Sequence, residues 1–171
     1  VGSNYIVDEV NVPADPVIFT KSTSSLAAPG HKIAAALDPT GTLDYEGELG
    51  VVIGKPAKNL TRENAVGAVF GYTVVNDMTA RAVQQKHKQW FLGKSLDGFC
   101  PVGPYLVTAD EFGPPAEQEL TTYVNDERRQ RALLKDMVFD VATFLETVTR
   151  YVALEPGDLL ATGTPAGVGI G

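Results

Sequence analysis

The chain has 171 residues, of which 44% are hydrophobic and 20% charged, enough apolar material for one globular domain with its own core and too much for a disordered chain. A formal net charge of −7 argues against nucleic acid or an anionic membrane as partner, because both call for a basic face. The lone cysteine, Cys100, excludes an internal disulfide and points to a reducing compartment, with the cytoplasm as the expected location. No apolar run has the length of a membrane span, and the amino terminus shows no basic segment followed by an apolar one. The chain starts without Met and stops just after a glycine-rich stretch, so both ends read as trimmed.

Residues 17–21 form the first β-like run, and residues 48–53 and 68–76 follow as longer runs rich in β-branched and aromatic side chains, which predicts strands. Between them Thr61 can cap a short helix with Glu63 in its first turn. Residues 79–89 hold polar helix formers without a clear apolar stripe, and residues 102–107 predict another strand. Asn125-Asp126 separates the strand at 120–124 from an alternating run at 128–134, the signature of a hairpin whose second strand has a polar, exposed face. Asp140 caps the clearest helix, where Val141, Phe144, Leu145, Val148 and Val152 follow a 3.6-residue period. Pro156-Gly157-Asp158 ends that region before a last strand at 159–162. The pattern predicts one mainly β domain with peripheral helices, of the α+β class.

The string Asp44-Tyr45-Glu46-Gly47-Glu48 sets two glutamates at the head of an apolar strand. On extended backbone i and i+2 share a face, so the carboxylates lie side by side next to a core. Unpaired, each would raise the other's pKa and resist burial; a hard divalent cation turns that repulsion into a binding site. Asp77 ends the strand at 68–76 and completes a carboxylate triad if the two strands are neighbours.

Several ordered motifs carry a resemblance. Asp44-Tyr45-Glu46-Gly47-Glu48-Leu49, Gly71-Tyr72-Thr73-Val74-Val75-Asn76-Asp77-Met78-Thr79-Ala80-Arg81, Gly93-Lys94-Ser95, Pro101-Val102-Gly103-Pro104 and Thr162-Gly163-Thr164-Pro165-Ala166-Gly167-Val168-Gly169 together resemble the fumarylacetoacetate hydrolase family over nearly the whole chain. The resemblance implies a β-roll-like fold, a homodimer, and Mg2+ or Mn2+ in the site. It also implies small α-keto or enol acid substrates, with reactions that range over C–C hydrolysis, decarboxylation and isomerisation. By position it implies Glu46, Glu48 and Asp77 as metal ligands and Lys94 as the active-site lysine that holds enolate charge. Arg81 and Gln84, three residues apart and on one helical face, would grip the far end of the substrate. Gly163 and Thr164 match the loop that takes the substrate carboxylate, and Lys21 and Tyr5 match positions near the pocket. Trp90 and Phe91 read as core or dimer surface, and His31 and His87 as surface or structural residues.

One departure bears on the chemistry. Family members carry Asn-Tyr-x-x-His, with Glu three residues further on, in a lid whose His-Glu pair activates water. Here Asn4-Tyr5 leads to Ile6-Val7-Asp8-Glu9, with Asp8 where the histidine would stand. Either the lid is lost or residues are missing between about Val7 and Val10. The expectation is therefore a single catalytic domain over 1–171 that hydrolyses acylpyruvate-type acids. Oxaloacetate decarboxylation or isomerisation of keto/enol dicarboxylates is the alternative, and a non-catalytic metal-binding relative is the reading from another class.

Overall fold

The structure, a computed structural model, describes residues 1–5 and 12–169. Its elements in chain order are β1 (Leu26–Ala27), β2 (Leu43–Asp44), β3 (Gly47–Ile53), α1 (Arg62–Ala65), β4 (Val69–Asn76), β5 (Thr79–Ala80), α2 (Arg81–His87), α3 (Phe91–Lys94), β6 (Cys100–Pro101), β7 (Val107–Thr108), α4 (Ala109–Phe112), β8 (Glu119–Val124), β9 (Glu127–Leu133), α5 (Val141–Tyr151) and β10 (Leu159–Ala161). Strands predominate over a few short helices, which is the mixed class expected from the sequence. No helix among the described residues is long and apolar enough to cross a membrane.

The two central strands do lie side by side. β3 and β4 pair antiparallel with Gly47 opposite Asn76 and Glu48 opposite Val75, and β10 and β7 flank them in a four-stranded sheet of order β10-β3-β4-β7. Leu49, Val51 and Ile53, the alternate residues of β3, enter the main apolar cluster with Phe144, Leu145 and Val148 of α5. The Asp140 side chain caps α5 by accepting from the Thr143 N–H, and the predicted stripe is buried except for Val152, which lies past the last turn and is exposed. Thr61 caps α1 as expected, with Asn64 supplying the reciprocal bond. The predicted hairpin is β8–β9, turned by Asn125 and Asp126 at φ 50° and 65°, the left-handed pair that a two-residue turn requires.

Three predicted elements need correction. Residues 17–21 are not a strand: only Val17 makes a β-bridge, to Gly2, and beyond it Lys21 is drawn onto Asp77. Residues 102–107 are not one strand either. Val102 bridges to Val75, and the chain then turns at Gly103 (φ 111°) and Pro104 before β7 begins, because proline has no N–H to continue a ladder. The helix predicted over 79–89 starts two residues later, since Thr79 and Ala80 pair with β2, and it stops at His87, ahead of Lys88 at φ 58°.

Candidate functional site

Strand pairing assembles the carboxylates. Glu46 immediately precedes β3 and Asp77 immediately follows β4, so the Gly47–Asn76 register brings them together; the Asp77 N–H donates to Glu46 O at 2.9 Å and the Glu46 N–H to Asn76 Oδ1 at 3.1 Å. Glu46, Glu48 and Asp77 are all buried, and one oxygen from each lies within 4.8 Å of the others. This is the triad expected from the sequence. Gly47 has to be glycine because a Cβ there would overlap Thr122 Oγ1 of the hairpin lying across it.

Cations come from three separate elements. Lys94, at the end of α3 and 2% exposed, has Nζ 2.6 Å from Glu46 Oε2 and 2.8 Å from Asp77 Oδ2. Gly93 lets α3 sit directly on the backbone of Gln84 in α2, which drives Lys94 inward. Lys21 Nζ reaches Asp77 Oδ1 at 2.6 Å. Burial alone would lower the Lys94 ammonium, but Asp77 and Glu46 outweigh it and the net shift is upward, so the lysine is held protonated. Phe19 covers it, with Nζ 5.2 Å from the ring centroid, and Trp90 packs edge-on against Phe19. Phe91 is exposed.

Arg81, expected to grip the substrate, lies against two carboxylates and Gln84 in the structure. Its Nε and Nη2 donate to Asp44 Oδ2 at 2.8 and 2.6 Å, and Nη1 contacts Glu46 Oε1 at 2.7 Å and Gln84 Oε1 at 3.4 Å. The guanidinium is thus a brace for Glu46, with Gln84 against its back. Asp44, which sequence reasoning passed over, is the pivot: its other oxygen accepts the Gly169 N–H at 2.6 Å. The alternation that flagged residues 46 and 48 extends to 44 and was signal enough to find it.

Glu48 is the member of the triad that makes no salt bridge among the described residues. Its Oε2 accepts the Gly163 N–H at 2.6 Å, and its Oε1 is buried with no hydrogen-bond partner among the described residues. Burial first, then Asp77 and Glu46, push its pKa up to about 8. A buried, unpartnered carboxylate oxygen facing two other carboxylates fits a divalent cation with hard oxygen ligands, and fits Mg2+ or Mn2+ better than a soft metal. Among the described residues no other acidic, histidine or cysteine cluster of this kind occurs.

The loop after β10 is tied to the same strand. Thr164 Oγ1 donates to Gly47 O at 2.8 Å and accepts from Gln130 Nε2 at 2.8 Å, so its hydroxyl is already engaged and the loop's backbone is what remains for a ligand. Gly163 adopts φ 99° and packs on Asn4. Tyr5 lies in the main apolar cluster. Its buried hydroxyl has no partner among the described residues, and its pKa is raised by burial first and then by Glu48. The structure thus puts Tyr5 in the core, close enough to Glu48 to feel its charge. His31 and His87 are exposed. Asp8, the position of the missing lid histidine, lies outside the described residues.

Residues 2–171 match the protein-family model described as fumarylacetoacetate (FAA) hydrolase C-terminal. The Bacillus subtilis protein named oxaloacetate tautomerase YisK is 44% identical over 177 aligned residues, covering 100% of this chain and 59% of that protein. A solved fumarylacetoacetate hydrolase from Exiguobacterium antarcticum is 48% identical with TM-score 0.92, covering 99% of this chain and 62% of that one. A maleylpyruvate hydrolase from Sphingobium sp. SYK-6, solved with manganese(II) and pyruvate, is 35% identical with TM-score 0.85, covering 98% of this chain and 59% of that one. The chain therefore spans about three-fifths of the length of these relatives.

Proposed function

This chain belongs to the fumarylacetoacetate hydrolase family, and we propose that residues 1–171 form the catalytic unit of a divalent-metal-dependent enzyme acting on small, enolisable α-keto acids. The leading reaction is tautomerisation of an oxaloacetate-like dicarboxylate. The observation that carries this reading is the buried cluster of Glu46, Glu48 and Asp77 with the Lys94 amine 2.6 and 2.8 Å from two of them.

Glu46, Glu48 and Asp77 would hold Mg2+ or Mn2+, which when bound would supply Lewis acidity toward an α-keto acid. Lys94, kept protonated by Asp77 and Glu46 against the effect of burial, places a fixed positive charge and a donatable proton beside the position of enolate charge. Arg81 keeps Glu46 oriented through its bonds to Asp44 and Glu46. With the Gly163 N–H given to Glu48 and no N–H on Pro165, the Thr164 N–H of the loop after β10 would take a substrate carboxylate, and Lys21 adds positive charge on the Asp77 side. Proton transfer of this kind calls for no activated water. The name of the Bacillus subtilis relative supports the same reaction class.

C–C hydrolysis of acylpyruvates is the second reading, favoured by likeness to the maleylpyruvate hydrolase. A homodimer belongs to both readings. Exposed Leu26, Val74, Tyr105 and Leu106 supply apolar surface for it, and sedentation in the ultracentrifuge at twice the monomer mass is the expected result. The deciding experiment presents enol-oxaloacetate, acetylpyruvate and fumarylpyruvate to purified protein with Mg2+ or Mn2+, with chelator and Glu48→Ala controls. Metal-dependent ketonisation without acylpyruvate loss supports the tautomerase. Acylpyruvate cleavage moves the assignment to the hydrolase, and metal binding with no turnover moves it to a non-catalytic relative.

A further inference from the structure

The hairpin β8–β9 contributes no charged group to the cluster, yet one of its side chains touches both halves of the site. Gln130 is 1% exposed. Its Oε1 accepts the Gly47 N–H at 3.0 Å, between the two metal-side glutamates, and its Nε2 donates to Thr164 Oγ1 at 2.8 Å and to Pro165 O at 2.7 Å. The Thr164 hydroxyl passes its own hydrogen to Gly47 O at 2.8 Å. One amide and one hydroxyl thus close a ring of hydrogen bonds linking the carboxylate strand to the loop. Close backbone packing reinforces it, because a Cβ at Gly167 would overlap Arg129 O.

We propose that Gln130 is a positioning residue that sets the distance between the loop binding the keto-acid carboxylate and the strand holding the metal. The proposal rests on the preceding functional reading, in which that loop meets the substrate. The two sides of the amide are unequal in consequence. The carboxylate strand is fixed without Gln130, by its ladder with β4 and by the Asn76 bond to Glu46. The loop has no strand partner there. Beyond Gln130 it is tied by the Thr164 hydroxyl and by single bonds from Gly163 to Glu48, Tyr45 to Gly167 and Gly169 to Asp44. Loss of the amide therefore loosens the loop and leaves the metal side in place.

Gln130→Met keeps the side-chain length and removes both donors and the acceptor. The expected result is at least tenfold faster hydrogen exchange in metal-free protein at the Gly163 and Gly169 amides, whose N–H groups are bonded to Glu48 and Asp44. With it come a rise in KM for the keto acid of at least tenfold, kcat within threefold, and Mn2+ affinity, read from the free-ion electron paramagnetic resonance signal, within twofold. A role confined to stability would lower the melting temperature and leave KM of the folded protein unmoved. Where Gln130→Met does not fold, Gln130→Asn keeps the amide but is one methylene too short to span from Gly47 to the loop, and is read in the same way. Pyruvate titrated into wild-type Mg2+-loaded protein separates the two ideas. Amide shifts at Thr164 and Ala166 with unchanged exchange and KM in the variant overturn the role of Gln130 alone. No shift at the loop overturns the loop's contact with substrate, and the role of Gln130 with it.

Discussion

The molecule has two interiors that share one strand, and they obey different rules. On one side of β3, Leu49, Val51 and Ile53 meet Phe144 and Leu145 of α5 in an apolar cluster. At its amino-terminal end, Glu46 and Glu48 meet Asp77, Lys94 and, through Glu46, Arg81. The apolar side is stabilised by area, at about 25 cal/mol per Å² removed from water, and neighbouring shapes can substitute for one another. The charged side is stable only when each member is paired or, like Glu48, kept neutral by a proton, since an ion left alone in the interior costs several kcal/mol. The apolar side therefore reports on folding, while the charged side reports on function.

Substitutions can separate the two. Glu48→Ala removes the triad member that makes no salt bridge among the described residues; turnover and Mn2+ binding should both fall below detection while the melting temperature holds or rises, and retained turnover would remove the triad from the mechanism. Leu145→Ala, at a fully buried site, should cost about 2–5 kcal/mol in denaturant unfolding and leave Mn2+ affinity of the folded fraction unchanged. Lys94→Met should lower kcat by roughly 10²–10³ and retain metal binding; loss of metal binding instead would make the lysine structural.

The pH dependence sharpens the contrast, because it belongs to one side alone. Glu48 ionises at about 8 in the fold against a reference of 4.5, so the folded state holds its proton longer than the unfolded chain does. Metal-free protein should lose stability as pH rises from about 4.5 through about 8. Metal must displace that proton, so apparent Mg2+ affinity should climb over the same range and binding near pH 7 should release close to one proton. Calorimetry in two buffers of different ionisation enthalpy measures it. The smallest effect expected is Asp140→Ala, loss of the α5 cap, at about 1 kcal/mol of stability, with KM and metal affinity untouched.

Most of the apolar side was legible from periodicity. The 3.6-residue stripe of α5, the capping Asp140 and the Asn125-Asp126 turn are local signals, and each element formed where the pattern put it. The strands predicted over 17–21 and 102–107 failed because β-branched residues report only a propensity to fit a pleated surface; at both places the backbone follows a nonlocal contact or a proline. On the charged side the triad was legible because alternation and strand adjacency sufficed. The roles of Arg81 and Thr164 were not. Whether an arginine faces substrate or braces a carboxylate depends on where Asp44 and Glu46 lie in space, and the Thr164 hydroxyl is engaged by a glutamine 34 residues earlier in the chain. Gln130 left a faint trace: it stands in an otherwise exposed, charged strand, two residues before half-buried Ala132, on the face that points inward.

Because the carboxylates and the apolar residues alternate along one strand, length matters there more than chemistry. A single inserted residue between Gly47 and Leu49 would shift the later side chains of β3 to the opposite face, turning Val51 and Ile53 away from α5 or the glutamates away from Lys94. A deletion would do the same. The segment from Glu46 to Ile53 is thus a ruler as much as a binding strand, and insertions tolerated in the surface turns would at this place undo folding and the site together.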